Sequence, residues 1–449
     1  MRYSLLSVTG KDNQLFEIAL LLVAPVTLTG AFGVPAVPLT VAVGEAPVAD
    51  PIGGPATPLD RLHGVALLDQ LDSLPRGDVR LFLDTHPQAL EELISSPPRA
   101  SEVAAWWAGA PTSGRSILRS VAPELIGNLE GVPYTARDIA NREVLDAARQ
   151  QLDARLDGML GRAERGELET RNHMLDQIEK ALRGEERRLV SIDVTGDGRA
   201  VIAIGDLTRA DYVSYLVPGM FFGVDAQIEA WTETAQTLVD DQERWLRELN
   251  PGSDAAVAAV AWIGYRTPSL VNVASMELAR EGQQSFTASL QGLRAARGDD
   301  QPYLAVLAHS YGSTAALLSL AEDDVHVDAL AVVGSPGSPA RSADELHVGS
   351  VWVGAADWDP IPASGVFGSQ PASRNYGAHL FSVAAGSDPL SGAQLGGAFT
   401  HNDYFAPGSM SLRNMALIAL GEGSGWWLPI TPAATSRAPS PTSASHTAG

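Results

Sequence analysis

Cysteine is missing from all 449 residues, and that absence removes disulfides, thiolate metal sites and a cysteine nucleophile together. It fits either side of a bacterial membrane and leaves the compartment open. Positive charge is scarce: 31 Lys and Arg stand against 53 Asp and Glu, for a formal net charge of -22. Gripping nucleic-acid phosphates needs a surplus of cations, so no nucleic acid is expected as a partner. The imbalance bears on solubility and steering, and says little about a substrate. What is present is ordinary for a folded chain: 45% hydrophobic and 19% charged residues can fill a sizeable core. The length suits two folded units, or one large domain with an added helical layer.

Charge is also absent between Ile18 and Val43, a stretch long enough to cross a bilayer. Pro25, Gly30, Gly33, Pro35 and Pro38 interrupt it, however, and Glu17 stands where a secretory signal is basic. Arg2 and Lys11 give a weak positive flank, and no small-x-small cleavage site follows. Two readings stand side by side: a membrane anchor or uncleaved signal, and a buried or loosely packed apolar segment. The first would bring the protein to the membrane or cell envelope in preference to the cytoplasm. Gly44–Pro58 is rich in Pro and Gly, so residues 1–58 read as an apolar segment plus linker. Residues 59–188 read as a helical region packing on the domain C-terminal to it. Short helices broken at Pro75 and Pro87 lead to one around Val103–Trp107. Then Leu145, Leu152, Leu156, Met159 and Leu160, and later Met174, Leu175, Ile178 and Leu182, recur at spacings of three and four. Gly161 and Gly166 should separate these two helices. The tail, residues 431–449, is rich in Ala, Ser, Thr and Pro and is expected to be disordered.

From 189 to 430 the texture changes. Leu189–Asp193 and Ala200–Gly205 flank Thr195-Gly196-Asp197-Gly198, a hairpin turn by composition. That turn resembles the start of a calcium loop, but position twelve would be Ile204 and not a bidentate Glu, which argues against calcium. Apolar runs at Tyr212–Val217, Ala256–Ile263, Tyr303–Ala308, Ala329–Val333, Val348–Gly354 and His379–Val383 read as strands. Helices are expected over Gln227–Glu248, Ser275–Arg297 and Ser313–Ala321. Such alternation after an opening hairpin predicts an α/β fold with a mostly parallel sheet covered on both faces. Ligands of such sheets bind at the carboxyl ends of the strands.

At one of those ends the chain reads Ala308-His309-Ser310-Tyr311-Gly312. An apolar strand runs into a serine with small residues two positions to either side, then directly into a helix. This is the pattern of a nucleophile elbow, in which the neighbours must lack bulk because the backbones approach closely. A serine hydroxyl is a weak nucleophile until a base takes its proton. In this arrangement the acid and the histidine follow the serine in chain order. His326, His347 and His379 fall at or inside strands and His446 in the tail, which leaves His401, in a polar loop after the last strand. The acid that fixes the imidazole tautomer should come from the turn after Val351–Gly354, with Asp359 preferred and Asp357 the alternative. Asp388 reads as a turn residue, and Asp403 stands too near His401 in sequence to be favoured. Two backbone N–H groups must face the developing oxyanion. Tyr311 would supply one and Met220, after a positive-φ turn at Gly219, the other.

These words resemble a family: the uncharacterised alpha/beta hydrolases abundant in actinobacteria. The resemblance covers roughly Ala104 to Phe405. It includes Trp106-Trp107, the run Pro123 to Pro133, Arg137 to Arg142 and Leu216 to Gly219. It continues through Ala261 to Tyr265, His309 to Ser313, Gly334 to Gly337, Val351 to Pro360, and His401 with Tyr404. Ala308, where the family usually has Gly, is a departure. The resemblance implies the alpha/beta-hydrolase fold and a Ser310–Asp359–His401 triad, and it implies no substrate. An esterase working through an acyl-enzyme on a small-molecule or lipid-like ester is the first reading. An amidase or peptidase could use the same triad, and a non-catalytic envelope binding protein stands outside both. No metal or organic cofactor is expected, and the one membrane contact suggested is the N-terminal apolar segment. Asn128, Arg137, Asn141 and Arg142 either bridge the helical region to the core or hold a substrate carboxylate.

Overall fold

The computed structural model describes residues 58–423. The apolar stretch 18–43 and the tail 431–449 lie outside those residues. Among the described residues no helix is long and apolar enough to cross a membrane.

The apolar runs beyond residue 187 assemble into one eight-stranded sheet. Its strands are β1 (Arg187–Asp193), β2 (Arg199–Ile204), β3 (Tyr212–Val217), β4 (Val257–Ile263), β5 (Tyr303–His309), β6 (Val327–Val333), β7 (Val348–Gly354) and β8 (His379–Leu380). Their order in space is β1-β2-β4-β3-β5-β6-β7-β8. β1 and β2 form an antiparallel hairpin, and β2 lies antiparallel to β4; every pairing from β4 to β8 is parallel. Gly196 and Gly198 close the hairpin at φ +56 and +74, which only glycine adopts at little cost. The central strands are apolar throughout because both faces are covered; all of β4 is buried.

Helices over Val224–Leu249 and Met410–Ile418 supply Ile228, Trp231, Leu238, Leu412 and Met415 to the core on one face. Those over Glu277–Arg297 and Ser310–Leu320 supply Phe286, Leu290, Tyr311 and Ala315 to the other. The helix starts at Ser310 itself, three residues before the expected Ser313, because the turn at the serine passes straight into helical geometry. β8 is shorter than the apolar run His379–Val383. The strand ends at Leu380, with Phe381 N still donating to Val353 O at 3.1 Å, and Phe381 and Val383 pack over Gly354, where an added Cβ would come 2.8 Å from each.

Among the described residues eight α-helices precede the sheet. Six short ones, between Gly64 and Asn128, enclose a small core of their own around Leu67, Leu71, Val103 and Leu125. Two of them, Thr112–Val121 and Pro123–Asn128, were not anticipated. The two longer helices, Tyr134–Leu156 and Arg162–Ala181, turn Leu145, Leu152, Met174, Leu175 and Ile178 into the sheet's core. Gly166 lies inside the second helix, not between the two.

This layer also finishes the edge of the sheet. An edge strand presents bare N–H and C=O groups, a template for unwanted pairing. Along β1, Asn128 donates to Ile192 O at 3.0 Å and accepts from Ile192 N at 2.9 Å. Asn141 donates to Leu189 O at 2.9 Å, Asp138 accepts from Leu189 N at 2.7 Å, and Arg142 donates to Arg187 O at 2.9 Å. Arg137 pairs with Glu130 and donates to Gly127 O at 3.1 Å. Of the two roles open to these residues, the contacts of Asn128, Asn141 and Arg142 are those of a bridge, whereas Arg137 ties together parts of the helical region itself.

Candidate active site

Ser310 follows β5 at φ +51, a left-handed conformation costly for a residue with a side chain. The strain is held from both sides by glycine. At Gly312 an added Cβ would come 2.1 Å from Pro218 O, and at Gly219 one would come 2.6 Å from Ser310 Cβ. Gly219 is therefore required for space. It does not take the positive φ expected of it; Phe221, at φ +61, makes that turn and donates its N–H to Pro268 O at 3.1 Å.

The structure brings Ser310, His401 and Asp359 together. His401 Nε2 lies 2.7 Å from Ser310 Oγ, and its Nδ1 lies 2.9 Å from Asp359 Oδ2. Since the carboxylate can only accept, Nδ1 carries the proton and Nε2 is left to accept from the hydroxyl. Asp359 also accepts from Tyr404 Oη at 2.7 Å and from Ile361 N at 3.0 Å. Burial opposes its charge, but the hydrogen bonds from His401, Tyr404 and Ile361 outweigh that and hold the carboxyl below its ordinary pKa. Tyr404 in turn accepts from Ala356 N at 2.9 Å, and burial beside the carboxylate raises its phenol. Asp357 is exposed on the same turn. Asp403 accepts from Phe399 N and Thr400 N and shapes the histidine loop.

Other residues support this centre and escaped the reading of the sequence. His309 donates from Nε2 to His401 O at 2.7 Å. Burial, reinforced by the neighbouring His401, lowers its pKa to about 3, so the ring is neutral. A histidine closing a strand buried from Leu304 onward is a sign that its ring nitrogens have partners, but nothing in the sequence names them. Gly334, at φ +60 after β6, leaves the space that the His401–Asp359 pair fills; a Cβ there would lie 2.9 Å from His401 Cε1 and 3.1 Å from Asp359 Oδ2. Asp388, read as a turn residue, does accept from Leu390 N, yet it also forms a buried ion pair with Arg413 at 2.6 Å. That pair joins the 386–395 loops to the last helix.

Tyr311 N–H is the first after Ser310 in the helix, and Met220 N–H follows the glycine pressed against Ser310. The Tyr311 hydroxyl donates to Ser275 O at 2.5 Å and accepts from Ala279 N at 3.0 Å, fixing the loop after β4. Trp262 and Tyr265 are core residues, with Tyr265 donating to Pro218 O at 2.9 Å. The remaining histidines lie elsewhere: His347 pairs with Asp323 at 3.0 Å, and His379 lies against Trp352. His446 is outside the described residues. Among the described residues no cluster of His, Asp or Glu could hold a metal ion.

Residues 193–368 match the model of a family described as alpha/beta hydrolase. Uncharacterised proteins from two strains of Mycobacterium tuberculosis are 31% identical over 393 residues, covering 75% of this chain. The chain spans 58% of the length of these curated relatives. Among solved structures, an arylesterase overlaps 63% of this chain and 97% of its own at 11% identity and a TM-score of 0.33. An esterase of Pyrobaculum calidifontis overlaps 62% and 97% at 15% identity and a TM-score of 0.32. Overlaps this loose say nothing about what the chain acts on. The fold and the match over residues 193–368 show an alpha/beta-hydrolase fold, and the mycobacterial relatives are consistent with an uncharacterised actinobacterial family of that fold.

Proposed function

We propose that the protein is a serine hydrolase that cleaves carboxylic esters through a covalent acyl-enzyme. The observation that carries this is the pair of distances at His401, 2.7 Å to Ser310 Oγ and 2.9 Å to Asp359 Oδ2. In the first half-reaction Oγ bonds to the ester carbonyl carbon as Nε2 takes its proton. The C–O bond to the alcohol then breaks, and the alcohol leaves with that proton. In the second, water attacks the acyl group, Nε2 again takes and returns a proton, and the carboxylic acid departs from a restored Ser310. Asp359 keeps the imidazole in the required tautomer and stabilises its cation. The N–H groups of Tyr311 and Met220 take the role of oxyanion donors.

A fluorophosphonate probe tests the reading. The wild type should be labelled and S310A should not, with p-nitrophenyl esters of increasing chain length then ranking the acyl preference. Equal labelling of both proteins, or of neither, sinks the assignment.

A further inference from the structure

Ten large hydrophobic side chains stand exposed among the described residues, and six of them lie on loops at the carboxyl end of the sheet's strands. Phe221 follows β3, Leu270 and Val271 follow β4, and Trp358 and Val366 follow β7. Phe399 comes two residues before His401. The strands concerned run parallel with β5, so these loops gather at the end where Ser310 sits. Val271 is 95% exposed, Trp358 80% and Phe399 60%, whereas Ser310 and His401 are 5% and 4% exposed. The catalytic atoms are thus sunk behind a rim of apolar groups held in water. A convergent apolar rim marks a surface that another apolar body covers.

The chemistry of that body can be narrowed. The rim is assembled from side chains on separate loops, whereas the usual ways of taking a peptide use one continuous groove or a strand edge. Trp and Phe are side chains that settle at a lipid–water boundary. Asp357 is exposed beside Trp358, and the chain carries a net charge of -22, which repels an anionic surface. A body that covers the rim lies over the end of the sheet that holds Ser310. We propose that the rim docks on the uncharged surface of an aggregated lipid ester, from which Ser310 draws its substrate. The inference rests on the serine-hydrolase reading above and gives it a substrate class, water-insoluble esters without a charged headgroup.

The test separates docking from chemistry. Full-length S310A is mixed with triolein droplets stabilised by phosphatidylcholine and floated by centrifugation. It should rise with the droplets, and S310A/V271D/W358D should associate about tenfold less, as the loss of apolar contact requires. Matching melting temperatures show that the added substitutions leave the fold intact. Should they lower it, S310A/L270S/F399S reads the same surface with milder changes. Undiminished flotation of the rim variants overturns the proposal and transfers the contact to another part of the chain, residues 18–43 included. Failure of S310A to float, or flotation only on anionic lipid, overturns it equally. No bond is broken in this assay, so failure of the hydrolase reading shows itself separately, as absent fluorophosphonate labelling of the wild type.

Discussion

Asp359 accepts three hydrogen bonds and has one catalytic partner, so its substitutions can be graded. Asp359→Asn keeps the shape but offers Nδ1 a donor in place of an acceptor, which favours the wrong imidazole tautomer. Ester turnover should fall about 10³–10⁴-fold, measured as kcat on a soluble ester, with the fold retained. Tyr404→Phe removes one neutral donor and should cost only about tenfold. His309 has a signature in stability. Its native pKa of about 3 is depressed from the ordinary 6.5, so below 6.5 the unfolded chain binds a proton that the native ring refuses. Stability is therefore lost as pH falls from 6.5 towards 3, at up to about 1.4 kcal/mol per pH unit from this residue. Asp359, also depressed, adds its own loss only below its ordinary value of 3.8. Urea unfolding at pH 7, 6 and 5 should show a shallower slope for His309→Gln than for the wild type. Ser310, His401 and Asp359 were legible because each must occupy a particular loop in a fixed chain order. His309 and Gly334 were not, because their roles depend on which backbone passes beside them.

Among the elements, the edge strand and the last helix carry the clearest energetic consequences. Asn141 is fully buried and donates to two carbonyls, Gly127 O and Leu189 O. Asn141→Leu leaves Leu189 O without this donor, while Gly127 O keeps Arg137, and should destabilise the protein by about 1–3 kcal/mol in chemical denaturation. Arg413→Met strands the Asp388 carboxylate in the interior, at a cost of about 3–5 kcal/mol, whereas a joint replacement of both partners by apolar residues should recover much of it. Periodicity revealed the long helices but not these contacts. Leu145, Leu152 and Met174 identify a buried stripe, while nothing in the spacing of Asn128, Asp138 and Asn141 says that they address the backbone of a strand. The short helices Thr112–Val121 and Pro123–Asn128 escaped for a related reason: so few turns of helix show too few repeats to reveal a period.

At the scale of the whole molecule, the helices Tyr134–Leu156 and Arg162–Ala181 share one core with the sheet, and that sets the limit of truncation. A chain beginning at residue 187 would uncover Leu189, Ile192 and the backbone of β1 together; it should be recovered as aggregate, with soluble yield as the measurement. The layered architecture was readable from strand runs alternating with helices because a covered parallel sheet has few other sequence patterns. The link between His309 and the main chain of His401 has a kinetic corollary. On the proposed reading, consecutive residues hold both the attacking oxygen and, through His309, the loop that carries its base. Assembly of the reacting groups then precedes any encounter, and turnover of a soluble ester should begin without a lag.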